Sequence, residues 1–179
     1  MKLVSFLKTS LLLVAAAIIF ILGFGCAKDP QKEQKKAIKK QEVALYADQT
    51  LDRDKGLKMI DTYVNYFKQY PDDTLSAVYL FKAAEISMNL QLGSQSIFYF
   101  DKIISNYPNF HKVPESIFLK AFVFENQLGN IEKAGFYYNE FLKKYPNHAL
   151  AKDAKASIEY LGKSPEELIK IFEGKNQSK

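Results

Sequence analysis

The chain has 179 residues, with 25 basic and 20 acidic side chains and a formal net charge of +5. Almost all of the positive charge is lysine, because Arg53 is the only arginine, whereas nucleic-acid sites rely heavily on arginine forks. We therefore expect no nucleic-acid partner. Cys26 is the only cysteine, which excludes an internal disulfide.

The N-terminal segment differs in character from the rest of the chain. Lys2 and Lys8 give the segment a short basic start, and an unbroken apolar run follows from Leu11 to Leu22. At ~1.5 Å per residue this run is too short to cross a bilayer comfortably. A basic start, an apolar middle and a small-residue end are typical of a secretory signal. We predict a signal peptide over residues 1–25.

The stretch Leu22-Gly23-Phe24-Gly25-Cys26 resembles a bacterial lipoprotein box. That resemblance implies that Cys26 is diacylated and becomes the new N-terminus. The alternative is an uncleaved signal anchor, in which Cys26 has no role. We expect the lipidated form, which would anchor the protein to a membrane.

Composition divides the remaining chain into three parts. Residues 26–36 are predicted to be the lipidated cysteine and a polar, lysine-rich linker, with a polybasic membrane-binding segment as the alternative. Residues 37–173 are predicted to form one helical repeat domain, and residues 174–179 a flexible tail. Within residues 37–173, prolines occur only at predicted helix borders, and sustained two-residue alternation is absent.

Three Tyr-Pro pairs divide the helical region at intervals of 37 and 38 residues: Tyr70-Pro71, Tyr107-Pro108 and Tyr145-Pro146. A period in this range indicates stacked structural repeats. Between the pairs, apolar residues recur at three- and four-residue spacing, and helices are predicted to stop near Leu92-Gly93 and Leu128-Gly129. Ser164-Pro165-Glu166-Glu167 predicts the start of the last helix, which we expect to run to about Phe172.

Glu115 to Pro146 resembles a tetratricopeptide repeat, with Gly129 at the turn, Ala134 at the small helix-contact position and Pro146 at the close. In Ala77 to Pro108 the small contact residue is Ser96. Gly162 fits the turn of a further partial repeat. The resemblance implies an all-α, tetratricopeptide-like α-solenoid of about seven to eight antiparallel helices.

Candidate catalytic groups are sparse. His111 and His148 follow Tyr-Pro pairs with no thiol or paired carboxylate nearby in the sequence, so we interpret both as helix-border residues. The acidic pairs Asp72-Asp73 and Glu166-Glu167 stand at predicted helix starts, where they offset the helix dipole. We therefore expect no enzyme activity, no metal and no cofactor.

In tetratricopeptide proteins the first helix of each pair lines a concave binding face. The resemblance implies that a protein or peptide partner would contact the following positions: Phe81, Glu85, Met88, Asn89, Leu119, Val123, Asn126, Gln127, Lys152 and Tyr160. The alternative is that Phe81, Leu119 and Val123 belong to the core, since large apolar residues at helical spacing usually do.

The sequence favours a non-enzymatic scaffold that is lipid-anchored and binds a protein partner in the cell envelope. Ala27, rather than aspartate, follows Cys26, and by the lipoprotein sorting known for some bacteria this implies the periplasmic face of the outer membrane. The Phe141 to Pro146 ending also resembles exported assembly lipoproteins of the BamD type. The alternative function is therefore an accessory subunit of an outer-membrane protein assembly or envelope-maintenance complex. The oligomeric state is left open.

Overall fold

The computed structural model describes residues 29–47 and 50–177. The predicted signal peptide and Cys26 lie outside the described residues. Within the described part the chain forms eight helices: α1 (Pro30–Leu45), α2 (Arg53–Gln69), α3 (Thr74–Asn89), α4 (Gly93–Asn106), α5 (Val113–Asn126), α6 (Ile131–Lys144), α7 (Ala151–Tyr160) and α8 (Pro165–Gln177).

These helices pack in chain order. From α2 to α7, each helix contacts the next one along the chain, and the described residues contain no strand. The prediction of an all-α, tetratricopeptide-like α-solenoid with seven to eight helices is confirmed. Among the residues described, no helix combines the length and the apolar character needed to cross a membrane.

The chain divides into two compact units, residues 1–39 and 40–179. In the first unit the described residues are the cap and early turns of α1, which begins at Pro30. Residues 30–36 are therefore helical, and their assignment to a polar linker was wrong. The reason is local: the Asp29 carboxylate accepts hydrogen bonds from the backbone amides of Gln31 and Lys32, at 3.0 and 3.4 Å, and proline suits a first helical position.

The Tyr-Pro pairs end α2, α4 and α6 with nearly the same backbone. Tyr70, Tyr107 and Tyr145 have φ between −133° and −130° and ψ between 57° and 61°. A following proline disfavours the helical region for the residue before it, so the chain leaves the helix at the tyrosine. The Tyr107 hydroxyl also donates a 2.6 Å hydrogen bond to the Pro71 carbonyl, which links two successive Tyr-Pro turns.

The turn between α3 and α4 departs from the sequence prediction of a stop at Gly93. Gly93 is the first residue of α4, and the left-handed residue is Gln91, with φ 60°. The amides of Gln91 and Leu92 donate to the carbonyls of Met88 and Ser87, the bonding pattern of a Schellman cap. Gly129 and Gly162 hold the corresponding left-handed conformation later in the chain, with φ of 61° and 70°.

Because Gln91 is exposed and strained, Gln91→Gly is expected to raise the free energy of unfolding by about 0.5–1 kcal/mol. The matched reverse change is Gly129→Gln. A Cβ at Gly129 would meet nothing within 4 Å, so its expected loss of about 1 kcal/mol would come from the backbone alone. Urea unfolding of both variants and the parent checks this; equal midpoints for all three would contradict it.

The last helix begins with reciprocal capping bonds. The Ser164 amide donates to Glu167 Oε2 at 2.7 Å, and the Glu167 amide donates to Ser164 Oγ at 3.2 Å. The helix then continues to Gln177. Residues 174–177, predicted as tail, are therefore helical, because Gly174 interrupts the helix pattern in the sequence without ending the helix.

The core of the second unit is rich in aromatic side chains. Its largest fully buried members are Tyr63, Tyr66, Phe100, Tyr138 and Phe141. Buried tyrosines need partners for their hydroxyls, and Tyr63, Tyr66 and Tyr138 donate to Glu42, Asp73 and Glu125, respectively. Packing between helices is therefore combined with polar bonds at the edge of the core.

Candidate functional site

Two of the residues predicted to face a partner lie in the core instead. Val123 is fully buried and Phe81 is 9% exposed. The Phe81 ring lies edge-on to Phe100 and Phe110, with centroids 6.0 and 6.4 Å away. These two predictions were wrong: Phe81 is covered by α4 and the turn after it, and Val123 has no exposed surface for a partner to contact.

Gln127 has a structural role. Its side-chain amide donates a 2.8 Å hydrogen bond to the Met88 carbonyl, and its side chain lies against Gly93, where an added Cβ would come within 3.0 Å. It therefore ties the end of α5 to the turn between α3 and α4. The neighbouring Asn126 is exposed and donates to the carbonyl of Phe122, in its own helix, at 3.0 Å.

The remaining predicted residues of α5 and α7 stay at least partly accessible. Leu119 and Tyr160 are half-buried, and Lys152 is exposed. None of the three lines the cavity that the predicted residues of α3 share. The structure therefore does not gather them into one site with α3.

The predicted residues of α3 do lie together. Glu85, Met88 and Asn89 line a cavity of about 420 Å³, which we call the α3 pocket. Its other walls come from the end of α1, the loop after it and α3 itself: Leu45, Tyr46, Leu51 and Ile86. Four of its seven lining residues are apolar, and the other three carry polar side chains that could orient a ligand.

The three polar side chains of the α3 pocket make no hydrogen bonds within the part of the chain that is described. This holds for the Tyr46 hydroxyl, the Glu85 carboxylate and the Asn89 amide. Tyr46 is 62% exposed, whereas Glu85 is half-buried. Groups that converge on one cavity without internal partners are available to bind a ligand.

Burial sets the electrostatics of Glu85. Removal from water raises the pKa of its carboxyl, and the nearby Lys112 and Lys82 ammonium groups oppose that rise. Burial also raises the pKa of the Tyr46 hydroxyl, which Lys82 lowers and Glu85 and Glu42 raise. Glu85 therefore carries a poorly solvated charge in the pocket wall.

Charged side chains of alternating sign lie on either side of Glu85. Lys82 Nζ bonds Glu42 Oε1 at 2.6 Å, and Lys112 Nζ bonds Glu115 Oε1 at 2.9 Å. We call these four residues and Glu85 the charge strip. Each lysine already has a carboxylate partner at bonding distance, so Glu85 is the member of the strip left without one.

His148 lies at the far end of the charge strip. Its Nε2 is 3.9 Å from Glu115 Oε2, which is buried and without a hydrogen-bond partner. Burial tends to raise the pKa of Glu115, but the hydrogen bond from Lys112 and the charges of Lys112 and His148 leave it below its ordinary value. The Leu150 amide donates to His148 Nδ1 at 3.2 Å. These contacts give His148 a structural place between α5 and α7.

A second cavity, of about 430 Å³, lies at the turn between α4 and α5. Its lining comprises Thr74, Ala77, Asn106, Tyr107, Pro108, Asn109, Phe110 and His111. His111 is the only histidine in this lining, and no carboxylate lines the cavity with it. Among the described residues, no three histidine, cysteine or acidic side chains form a group able to hold a metal.

Tyr46, Leu51, Glu42, Lys82 and Lys112 were not predicted from the sequence as site residues. One signal for the strip was available: α3 is almost entirely uncharged, with Lys82 and Glu85 as its only charged residues. Charged residues three apart on such a helix stand side by side. The contribution of Tyr46 and Leu51 had no comparable signal.

The tetratricopeptide-repeat family profile matches residues 115–148. This match spans α5, α6 and the turn that follows, and it supports identification as a tetratricopeptide-repeat protein. The repeat predicted over Glu115 to Pro146 is thereby confirmed. No curated protein gave a significant match to the chain.

This class of protein is typically a non-enzymatic scaffold for protein–protein interaction. Its stacked helix pairs expose extended surfaces suited to binding a partner.

Proposed function

We propose that this protein is a lipid-anchored scaffold that binds a protein partner in the cell envelope. The observation that carries the binding role is the α3 pocket, where four apolar residues meet three polar side chains that make no hydrogen bond to the described residues. The tetratricopeptide match supports a protein, rather than a small metabolite, as the ligand.

The proposed lipid anchor rests on the sequence. The apolar run of residues 11–22 and the small residues before Cys26 support export and lipidation. One acyl chain gives weak membrane binding and two give stable binding, so a diacylated Cys26 would suffice as an anchor. Ala27 supports delivery to the periplasmic face of the outer membrane.

The Cys26→Ser variant tests the anchor. Without the thiol no lipid can be attached, so we expect the variant to lose the mobility shift of the processed lipoprotein and the incorporation of labelled fatty acid. Membrane fractionation and metabolic labelling measure both. A variant that remained membrane-bound at the parent's size, with unchanged labelling, would contradict lipidation.

Affinity purification from membranes in a mild detergent tests the partner role. Co-purification of a stoichiometric protein partner supports the scaffold. A barrel-assembly component among the partners would favour the alternative of an accessory subunit of an outer-membrane assembly complex.

A further inference from the structure

Glu85 is the one member of the charge strip that lines the α3 pocket. Among the described residues, the Lys82 and Lys112 ammonium groups act on the Glu85 carboxylate, and each is bonded to another carboxylate, Glu42 or Glu115. One negative charge therefore remains, at Glu85, on the wall of the pocket.

This charge is poorly compensated by solvent, because Glu85 is half-buried and burial raises the pKa of its carboxyl. A hydrogen bond between a charged pair is roughly twice as strong as a neutral one. A cationic donor in the pocket would thus stabilise the Glu85 carboxylate and offset the solvation that it loses by burial. An anionic ligand would meet the same carboxylate, and Lys82 and Lys112, the two ammonium groups that act on Glu85, are already paired.

The apolar walls suit the stem of a long basic side chain. Leu45, Leu51, Ile86 and Met88 provide aliphatic surface beside the carboxylate, and lysine and arginine bury their methylene stems while the charged head keeps polar contacts. Asn89 and Tyr46 also line the pocket and supply further acceptors. Tyr46 lines the pocket and is 62% exposed, and Val43, three residues before it, is 69% exposed and offers further apolar surface.

We infer that the α3 pocket binds a lysine or arginine side chain from a peptide segment of the partner and that this side chain forms an ion pair with Glu85. An apolar residue next to it in the peptide packs against Val43 and Tyr46. This inference rests on the proposed protein-binding function and names the partner's chemistry.

Selection from a random peptide display library on the full-length chain tests the inference. We expect the selected sequences to be enriched in lysine or arginine beside an apolar residue. Glu85→Gln, which keeps the shape and removes the charge, is expected to weaken a selected peptide about tenfold or more. Glu132→Gln is the matched control, because Glu132 is exposed in α6 outside the pocket, and it should leave the affinity unchanged.

A double-mutant cycle locates the contact. Replacement of the basic residue of the peptide by methionine should cost about as much as Glu85→Gln, and the two changes together should cost little more than either alone. Additive losses would overturn the pairing. A single lysine blocked as its N-acetyl, N′-methylamide derivative tests whether the peptide is needed. If it bound as tightly as the whole peptide, the pocket would be a small-molecule site and the inference would be overturned.

Failure of the inference is distinguishable from failure of the proposed function. Enriched peptides without basic residues, whose affinity Glu85→Gln leaves unchanged, would overturn the cation-binding role while leaving the scaffold intact. If no peptide is enriched and no protein co-purifies, the binding function itself fails.

Thermal unfolding checks the fold of the Glu85→Gln variant. Because the folded-state pKa of Glu85 is raised, its stabilising contribution is present below the unfolded pKa and is lost as pH rises through the folded value. Among the described residues, Lys82 and Lys112 act on the Glu85 carboxylate, which in turn acts on the Tyr46 hydroxyl together with Glu42. At neutral pH the variant should unfold at the parent's temperature or above it, and a marked drop would reveal an internal partner for Glu85 and overturn the inference.

Discussion

Replacement of Ser96 by leucine is expected to lower the free energy of unfolding by about 2–4 kcal/mol, through overpacking and the loss of a buried hydrogen bond. Ser96 is fully buried, and its hydroxyl donates a 2.9 Å hydrogen bond to the Ala84 carbonyl. The bond shows that α4 approaches α3 closely at this point, which leaves no room for a larger side chain. Urea unfolding followed by circular dichroism measures the loss.

Two controls separate packing from hydrogen bonding in that experiment. Ser94→Leu adds the same side chain at an exposed position of the same helix, and it should change the free energy of unfolding by less than about 0.5 kcal/mol. Ser96→Ala keeps the space and removes the bond, with an expected loss of about 1 kcal/mol. A Ser96→Leu variant as stable as Ser94→Leu would show that the helices are not in close contact there.

Replacement of Phe141 by alanine is expected to destabilise the protein by about 3–5 kcal/mol, because it leaves a large cavity. The ring is fully buried. It packs against Phe118, Tyr145 and His148, with ring centroids 5.7, 6.0 and 5.5 Å away. Its loss should loosen α6 from both α5 and the segment before α7.

Phe136→Ala is the matched control in the same helix. Phe136 is 59% exposed, so its truncation should cost no more than about 0.5 kcal/mol. Calorimetric unfolding of both variants distinguishes the two positions. Similar losses for Phe136→Ala and Phe141→Ala would contradict the assignment of which face of α6 is buried.

The sequence predicted the helical architecture well because its signals are local. A proline forces the residue before it out of the helical region, so the Tyr-Pro pairs determine where α2, α4 and α6 end. The Ser164 capping box likewise acts within four residues. The errors also have local causes. Asp29-Pro30 starts a helix inside a stretch that was interpreted as a linker. Gln91 adopts a left-handed conformation that is usually found at glycine.

The candidate site was predicted only in part. Glu85, Met88 and Asn89 were expected at a binding surface from their positions on α3, and they line the α3 pocket. Phe81 and Val123 were expected there too, but they are buried. Helical periodicity distinguishes one face from another, yet it does not distinguish a face covered by a neighbouring helix from one that remains open.

The amino-acid sequence by itself determined the period, the helix ends at the three Tyr-Pro pairs and the absence of a recognisable catalytic motif, since each depends on residues close together in the chain. The tertiary structure alone decided which polar groups lack partners. Tyr46 and Glu85 are 39 residues apart and reach one cavity only because the end of α1 and α3 are brought together. The same packing pairs Lys82 with Glu42 of α1, whereas Lys112 pairs locally with Glu115. Among the described residues, Glu85 is left without a salt-bridge partner.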